Sequence, residues 1–144
     1  GYQYQVTNGV IFEPLFTERL VLVTSYEDIV DWRENYISIG WDQAFDEEHR
    51  RFVAESEPKS GLHMEFIDTA RIMLTHQACS AYVVERSAWT LIASGAVQRV
   101  PDAPVWLRPA HAIYPARPTH PDVQQVALEG VRDIFAKVEK SPAY

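Results

Sequence analysis

Leu20-Val21-Leu22-Val23 constrains the fold more than any other stretch of this sequence. Successive strand residues point to opposite faces, so four apolar residues in a row make a strand with no face left for water. Such a strand needs a covering layer on each side, and the rest of the chain offers candidates for both. Residues 10–12 and 19–24 read as two strands separated by Glu13-Pro14. The polar, acidic stretch 25–35, with Trp32 embedded in it, reads as a connector to a strand at 36–39 that Gly40 ends.

From there the pattern alternates. Asp42 is placed to cap a helix with Asp46, Glu47 and Glu48 in its early turns and Arg50 and Arg51 near its end, as the helix dipole favours. Phe45, Phe52 and Val53 form its buried stripe. Pro58-Lys59-Ser60-Gly61 breaks the chain, after which Leu62, Met64 and Phe66 alternate with His63, Glu65 and Ile67 as in a half-buried strand. Asp68 or Thr69 then caps a helix over 70–75. A strand at 80–84, a helix at 85–94 stopped by Gly95 and a strand at 96–100 follow. Three such alternations argue for an α/β fold of crossover units, with a largely parallel sheet and helices on its faces.

Pro101-Asp102-Ala103-Pro104 is a stiff connector to an extended segment at 105–114, where Pro109 marks an edge or a bulge. Thr119 or His120 caps the last helix, with Pro121 in its first turn. Val123, Val126, Ala127, Val131, Ile134, Phe135 and Val138 recur along it at helical spacing.

Composition removes several function classes. The 144 residues carry a formal charge of −7 with no cluster of Lys and Arg, so this segment lacks what holds a nucleic-acid backbone. Cys79 is the single cysteine, which excludes an internal disulfide and suits a reducing, cytoplasmic setting. No apolar stretch approaches membrane-spanning length, and no membrane partner is expected.

His49, His63, His76, His111 and His120 show no metal-binding spacing, and consecutive Asp46-Glu47-Glu48-His49 point in different directions on a helix, giving a solvated face rather than an ion site. There is no Gly-x-Ser-x-Gly elbow and no glycine-rich phosphate loop, and Cys79 reads as a small core residue. No catalytic residue, metal or cofactor is expected. The one place suited to a small ligand is Phe66-Ile67-Asp68-Thr69, because ligands of open α/β sheets collect at strand carboxyl ends, where the amides of a following helix can take an anion. Asp68 and Thr69 as simple helix caps are the equal alternative.

The run Phe12-Glu13-Pro14-Leu15-Phe16-Thr17-Glu18-Arg19-Leu20-Val21-Leu22-Val23 resembles a segment of LysR-type transcriptional regulators that follows the first lobe of their effector domain. Tyr36-Ile37-Ser38-Ile39-Gly40-Trp41-Asp42, with Phe45 and His49, resembles the opening of the second lobe in a subset of that family. Tyr82-Val83-Val84-Glu85-Arg86, then Gly95, then Val97-Gln98-Arg99-Val100-Pro101-Asp102-Ala103-Pro104 resemble later strands, with Tyr114 ending the return strand. Where the family usually has small Gly-x-Gly residues, this chain has Gln77-Ala78-Cys79-Ser80, which implies a reshaped ligand cleft.

The resemblance implies a periplasmic-binding-protein-like (type II) effector domain with a complete second lobe and a partial first lobe. Residues 1–34 would be partial first lobe and hinge strand, 35–104 the second lobe, and 105–144 the return strand and C-terminal helix of the first. It implies a small-molecule effector held by Trp41, Ile67, Asp68, Thr69 and Gln77. It also implies self-association as a dimer or higher oligomer, with DNA contacted only through an N-terminal helix-turn-helix domain outside this sequence. If first-lobe segments are missing, residues 20–23 and the last helix lose neighbours that cover them. Two other classes remain: a small cytoplasmic α/β enzyme using His76, Asp68 and Cys79, or an oligomerisation module without ligand.

Overall fold

A computed structural model describes residues 4–139 of the chain. They divide into two compact units: unit 1 runs to Glu18 and resumes at Leu107, and unit 2 spans Arg19–Trp106.

Unit 2 is an α/β layer structure built around the apolar run. Strand β2 (Val10–Thr24) enters it at Arg19. The strand pairs antiparallel with β5 (Ser80–Val84), Leu20 opposite Val84 and Thr24 opposite Ser80. Beyond β5 lie β3 (Tyr36–Ile39), parallel to it, and β4 (Ser60–Met64), parallel to β3. On the other side of β2, the short β6 (Gln98–Arg99) pairs antiparallel with Val23 and Thr24.

Period-2 alternation then splits the strands between two cores. Val21, Val23, Ile37, Ile39, Ala81 and Val83 face one side, where Ala70 and Leu74 of helix α2 (Ile67–His76) cover them together with Val97. Leu20, Leu22, Tyr36, Tyr82 and Val84 face the other, covered by Phe45 of helix α1 (Gln43–Ser56), by Trp32 from a 3₁₀ turn at Ile29–Arg33, and by Val100. Leu20, Val21, Leu22 and Val23 are at most 3% exposed. Both faces of the run are therefore covered within unit 2, and the expectation that it lacks neighbours is corrected.

Several local expectations hold. Asp42 caps α1, its Oδ1 accepting from the Phe45 amide at 2.8 Å, and Gly95 takes the left-handed conformation (φ +77°) after helix α3 (Trp89–Ala93). Others are corrected. The sheet of unit 2 is mixed, because β2 alone runs against β3, β4, β5 and β6, which share one direction as expected; hydrophobic pattern marks a strand but not its direction. Residues 10–12 and 19–24 belong to one continuous strand. Pro14 lies past the last β1–β2 pair, Gln5 with Phe12, so it withholds no amide from β1 (Gln5–Thr7).

Strand β4 ends at Met64, which packs against the core under α2, while Leu62 (40%) on this edge strand and Phe66 (77%) beyond its end are exposed. Helix α2 starts at Ile67, earlier than expected, and Phe66 stands at its N-cap with no side-chain hydrogen bond. Asp68 and Thr69 are thus first-turn residues rather than caps.

Unit 1 joins β1, the first part of β2 and β7 (Trp106–Pro115), which pairs with β2, to helix α4 (Pro121–Glu139). Only part of the expected apolar stripe of α4 is covered. Val131, Phe135 and Val138 are half-buried with Leu128, whereas Val123, Val126 and Ile134 are exposed. Phe16 stacks on Phe135 at 4.5 Å, and Arg132 grips the buried Glu13 carboxylate through Nε and Nη2.

Candidate functional site

The carboxyl ends of β3, β4 and β5 lie on one side of unit 2. The β3–β4 pairing runs to its last bond there, Gly40 N–H to Met64 O at 3.0 Å, and the chain then turns into Trp41. Its ring packs against both cores and meets Phe45 edge to face at 6.5 Å. Beside it is a hollow of about 660 Å³ bounded by Gly40, Trp41, Asp42, Asp46, Arg50 and Glu65, with Gln43 and Glu47 completing it.

Local sequence explains who lines the hollow. Asp42, Gln43, Asp46, Glu47 and Arg50 fall on the first two turns of α1 at positions that share one face, opposite the stripe Phe45, His49 and Phe52 that enters the core. Its walls thus present four carboxylates and one guanidinium around an aromatic ring.

The sequence-predicted ligand residues do not gather at one point. Trp41 lines this hollow. Ile67 opens α2 just past the end of β4, its side chain lying outside the described part of the structure. Asp68 and Thr69 are exposed in the same turn. Asp68 borders a separate hollow of about 340 Å³ with Arg71, Ile72, Thr75 and Leu91, and its own carboxylate already occupies the dipole position that an external anion would take.

Gln77 is at the far end. Helix α2 carries the chain about 14 Å from Asp68 to Gln77 at 1.5 Å per residue, and Gln77 precedes the amino end of β5, where its carbonyl accepts from Ser25 Oγ at 2.9 Å. About 12 Å of helix parts Asp68 from His76, and Cys79 is fully buried, its thiol pushed up by that burial. His76, Asp68 and Cys79 therefore form no acid–base or nucleophilic cluster.

Sequence reading passed over Asp46, Glu47, Arg50 and Glu65 as lining residues. The i, i+4 spacing of Asp46 and Arg50 was a usable signal; Glu65 arrives only through the β3–β4 pairing. The sequence pattern also puts His49 on a solvated face with Asp46-Glu47-Glu48, and for His49 this is corrected. His49 is buried, hydrogen-bonded to the Tyr36 hydroxyl, stacked on Phe45 at 4.8 Å and edge-on to Tyr82 and Trp106. Burial pulls its pKa below the usual histidine value. At the carboxyl end of β5, buried Glu85 is held by Arg19 (3.2 Å) and Arg99 (2.7 Å). Among the described residues, no three His, Cys, Asp or Glu side chains are placed to hold a metal ion, and no helix is long and apolar enough to cross a membrane.

No family model matches the sequence, and no curated protein does. Solved structures do. The regulatory domain of HypT from Salmonella typhimurium superposes with a TM-score of 0.72 at 12% identity, covering 94% of this chain and 72% of that one. Full-length HypT, a hypochlorite-specific LysR-type transcriptional regulator, gives 0.70 at 14% identity over 94% of this chain and 51% of its own. The CcmR regulatory domain of Synechocystis PCC6803, in complex with 2-PG, gives 0.60 at 8% identity over 93% and 72%. The chain has the fold of a LysR-type regulatory domain. This is the periplasmic-binding-protein-like, type II architecture. At these identities a LysR-type likeness fixes the path of the backbone and not the chemistry of its side chains, so what the site recognises rests on this chain's own residues.

Proposed function

We propose that this chain is the ligand-sensing regulatory part of a LysR-type transcriptional regulator, and that a small-molecule effector binds at the strand carboxyl ends of unit 2, against Trp41. The observation that carries the reading is the combination of a regulatory-domain fold with a 660 Å³ hollow where open α/β sheets collect their ligands. Trp41 supplies the apolar platform, the early turns of α1 and Glu65 supply polar selection, and Ile67, Asp68 and Thr69 form the neighbouring helix start. Gln77 acts at most through the far end of the sheet.

The role is regulatory rather than catalytic: binding free energy shifts the balance between conformations of the regulator. Self-association, DNA contact through a separate helix-turn-helix domain and a cytoplasmic location belong to the same proposal. A thermal-shift screen of the chain against small organic acids, amines, sugars and aromatic compounds tests it. A binder raises Tm in a concentration-dependent way, and Trp41→Ala, which lowers the unliganded Tm by removing core packing, reduces the shift measured against the variant's own unliganded Tm. A screen with no stabilising compound, or a binder indifferent to Trp41→Ala, contradicts the reading.

A further inference from the structure

Unit 1 has a cavity of its own, about 340 Å³, near the lower end of the range for small-molecule pockets. Pro14 and Leu15 of β2 and Phe135 and Ala136 of α4 give it apolar walls, with Tyr4 alongside. The Phe135 ring is fixed from behind by its stack on Phe16. The polar end is the Glu13–Arg132 pair. Glu13 is 2% exposed, and both its oxygens are taken by Arg132: Nε at 3.1 and 3.0 Å and Nη2 at 2.6 Å.

An ion pair with one partner as exposed as Arg132 adds only modestly to the stability of a fold. What this pair does provide is a guanidinium held in one orientation. Of its five N–H groups, the Nε–H and one on Nη2 serve Glu13, and Arg132 is far enough exposed for the others to be reached from the cavity. The Tyr114 hydroxyl lies beside the pair, 3.5 Å from Glu13.

Charge then selects the ligand class. Glu13 and Arg132 cancel, and Asp133, which also lines the cavity, leaves it at a formal −1. A carboxylate ligand meets that surplus negative charge, and an ammonium ligand finds both Glu13 oxygens occupied. An uncharged acceptor meets oriented donors and an apolar wall. We infer that this cavity is a second binding site, for a compact uncharged aromatic molecule carrying a carbonyl, its ring against Leu15 and Phe135 and its oxygen accepting from Arg132. The inference does not rest on sensing at Trp41, since it involves different residues in a different unit.

Acetophenone, benzoate and benzylamine share one ring and differ in head-group charge. Each is titrated into the ¹³C-methyl-labelled chain while NMR follows Leu15 and Ala136. Acetophenone is expected to shift both methyl signals saturably, with the two charged probes about tenfold weaker or worse. Ala136→Phe fills the cavity from an exposed helix position, leaves the ion pair in place and is expected to weaken acetophenone at least tenfold. Arg132→Lys keeps the charge but loses the oriented fork, and weakens it similarly. If that variant does not fold, Ala136→Phe decides alone. No saturable shift up to the solubility of acetophenone, equal or tighter binding of benzoate or benzylamine, or unchanged binding to Ala136→Phe each overturns the proposal.

Discussion

His49 gives unit 2 a specific pH dependence. It sits among Tyr36, Phe45, Tyr82 and Trp106 and accepts from or donates to the Tyr36 hydroxyl, and Tyr36 is itself 1% exposed. Burial raises both neighbouring phenols far above their ordinary range, so Tyr36 is a neutral hydroxyl at any working pH and donates to an unprotonated His49. The electrostatic influences of Asp46 on its own helix and of His63 on β4 oppose each other at His49. Desolvation outweighs both and lowers the folded-state pKa.

The sign follows. Below about pH 6.5 the unfolded chain takes up a proton at this residue that the folded chain refuses, so stability present above 6.5 is lost as pH falls toward the lower folded value. The slope from this one site approaches about 1.4 kcal/mol per pH unit within that window. His49→Leu removes the site and leaves the Tyr36 hydroxyl buried without its partner, costing about 1–3 kcal/mol at pH 8. Urea unfolding between pH 5 and 8 measures both effects. The variant should be less stable at pH 8 and should lose that slope, narrowing the gap or closing it near pH 5. A parallel offset at every pH would refute the assignment.

Four further outcomes are expected. Leu22→Ala, deep in the second core, costs about 2–5 kcal/mol by urea unfolding with little change in m-value. Asp42→Ala removes the α1 cap and costs about 1 kcal/mol, whereas Asp42→Asn costs little. Arg132 holds the Glu13 carboxyl below its usual range, so stability from this pair is present above about pH 4.5 and lost as pH falls further, and Glu13→Gln flattens an acid titration only in that lower window. Buried Cys79 reacts with iodoacetamide at neutral pH only as fast as the fold opens, so alkylation tracks the urea transition rather than preceding it.

What the sequence made legible was local. The strand over residues 36–39 and the one over 80–84 were readable because dense apolar β-branched and aromatic runs end at turn residues. The Asp42 cap and the Gly95 stop were readable because each depends on a few neighbouring bonds. Strand direction was not legible, since the apolar run of β2 is the same read either way. That omission had a consequence for the site: Gln77 precedes β5 in sequence, but only the parallel pairing of β5 with β3 puts it at the sheet end opposite Trp41. Glu65 joins the hollow through the β3–β4 register, a contact between distant parts of the chain. His49 read as part of a solvated helix face because its burial depends on the aromatic residues of β3, β5 and the segment ending at Trp106.

Hydrogen–deuterium exchange with and without a stabilising compound from the thermal-shift screen tests the central claim most directly. Slowed exchange at amides 40–43 and 65–69, with 77–79 unchanged, is the predicted outcome. Protection centred on 77–79, or none within unit 2, would contradict a sensing site at the carboxyl ends of its strands.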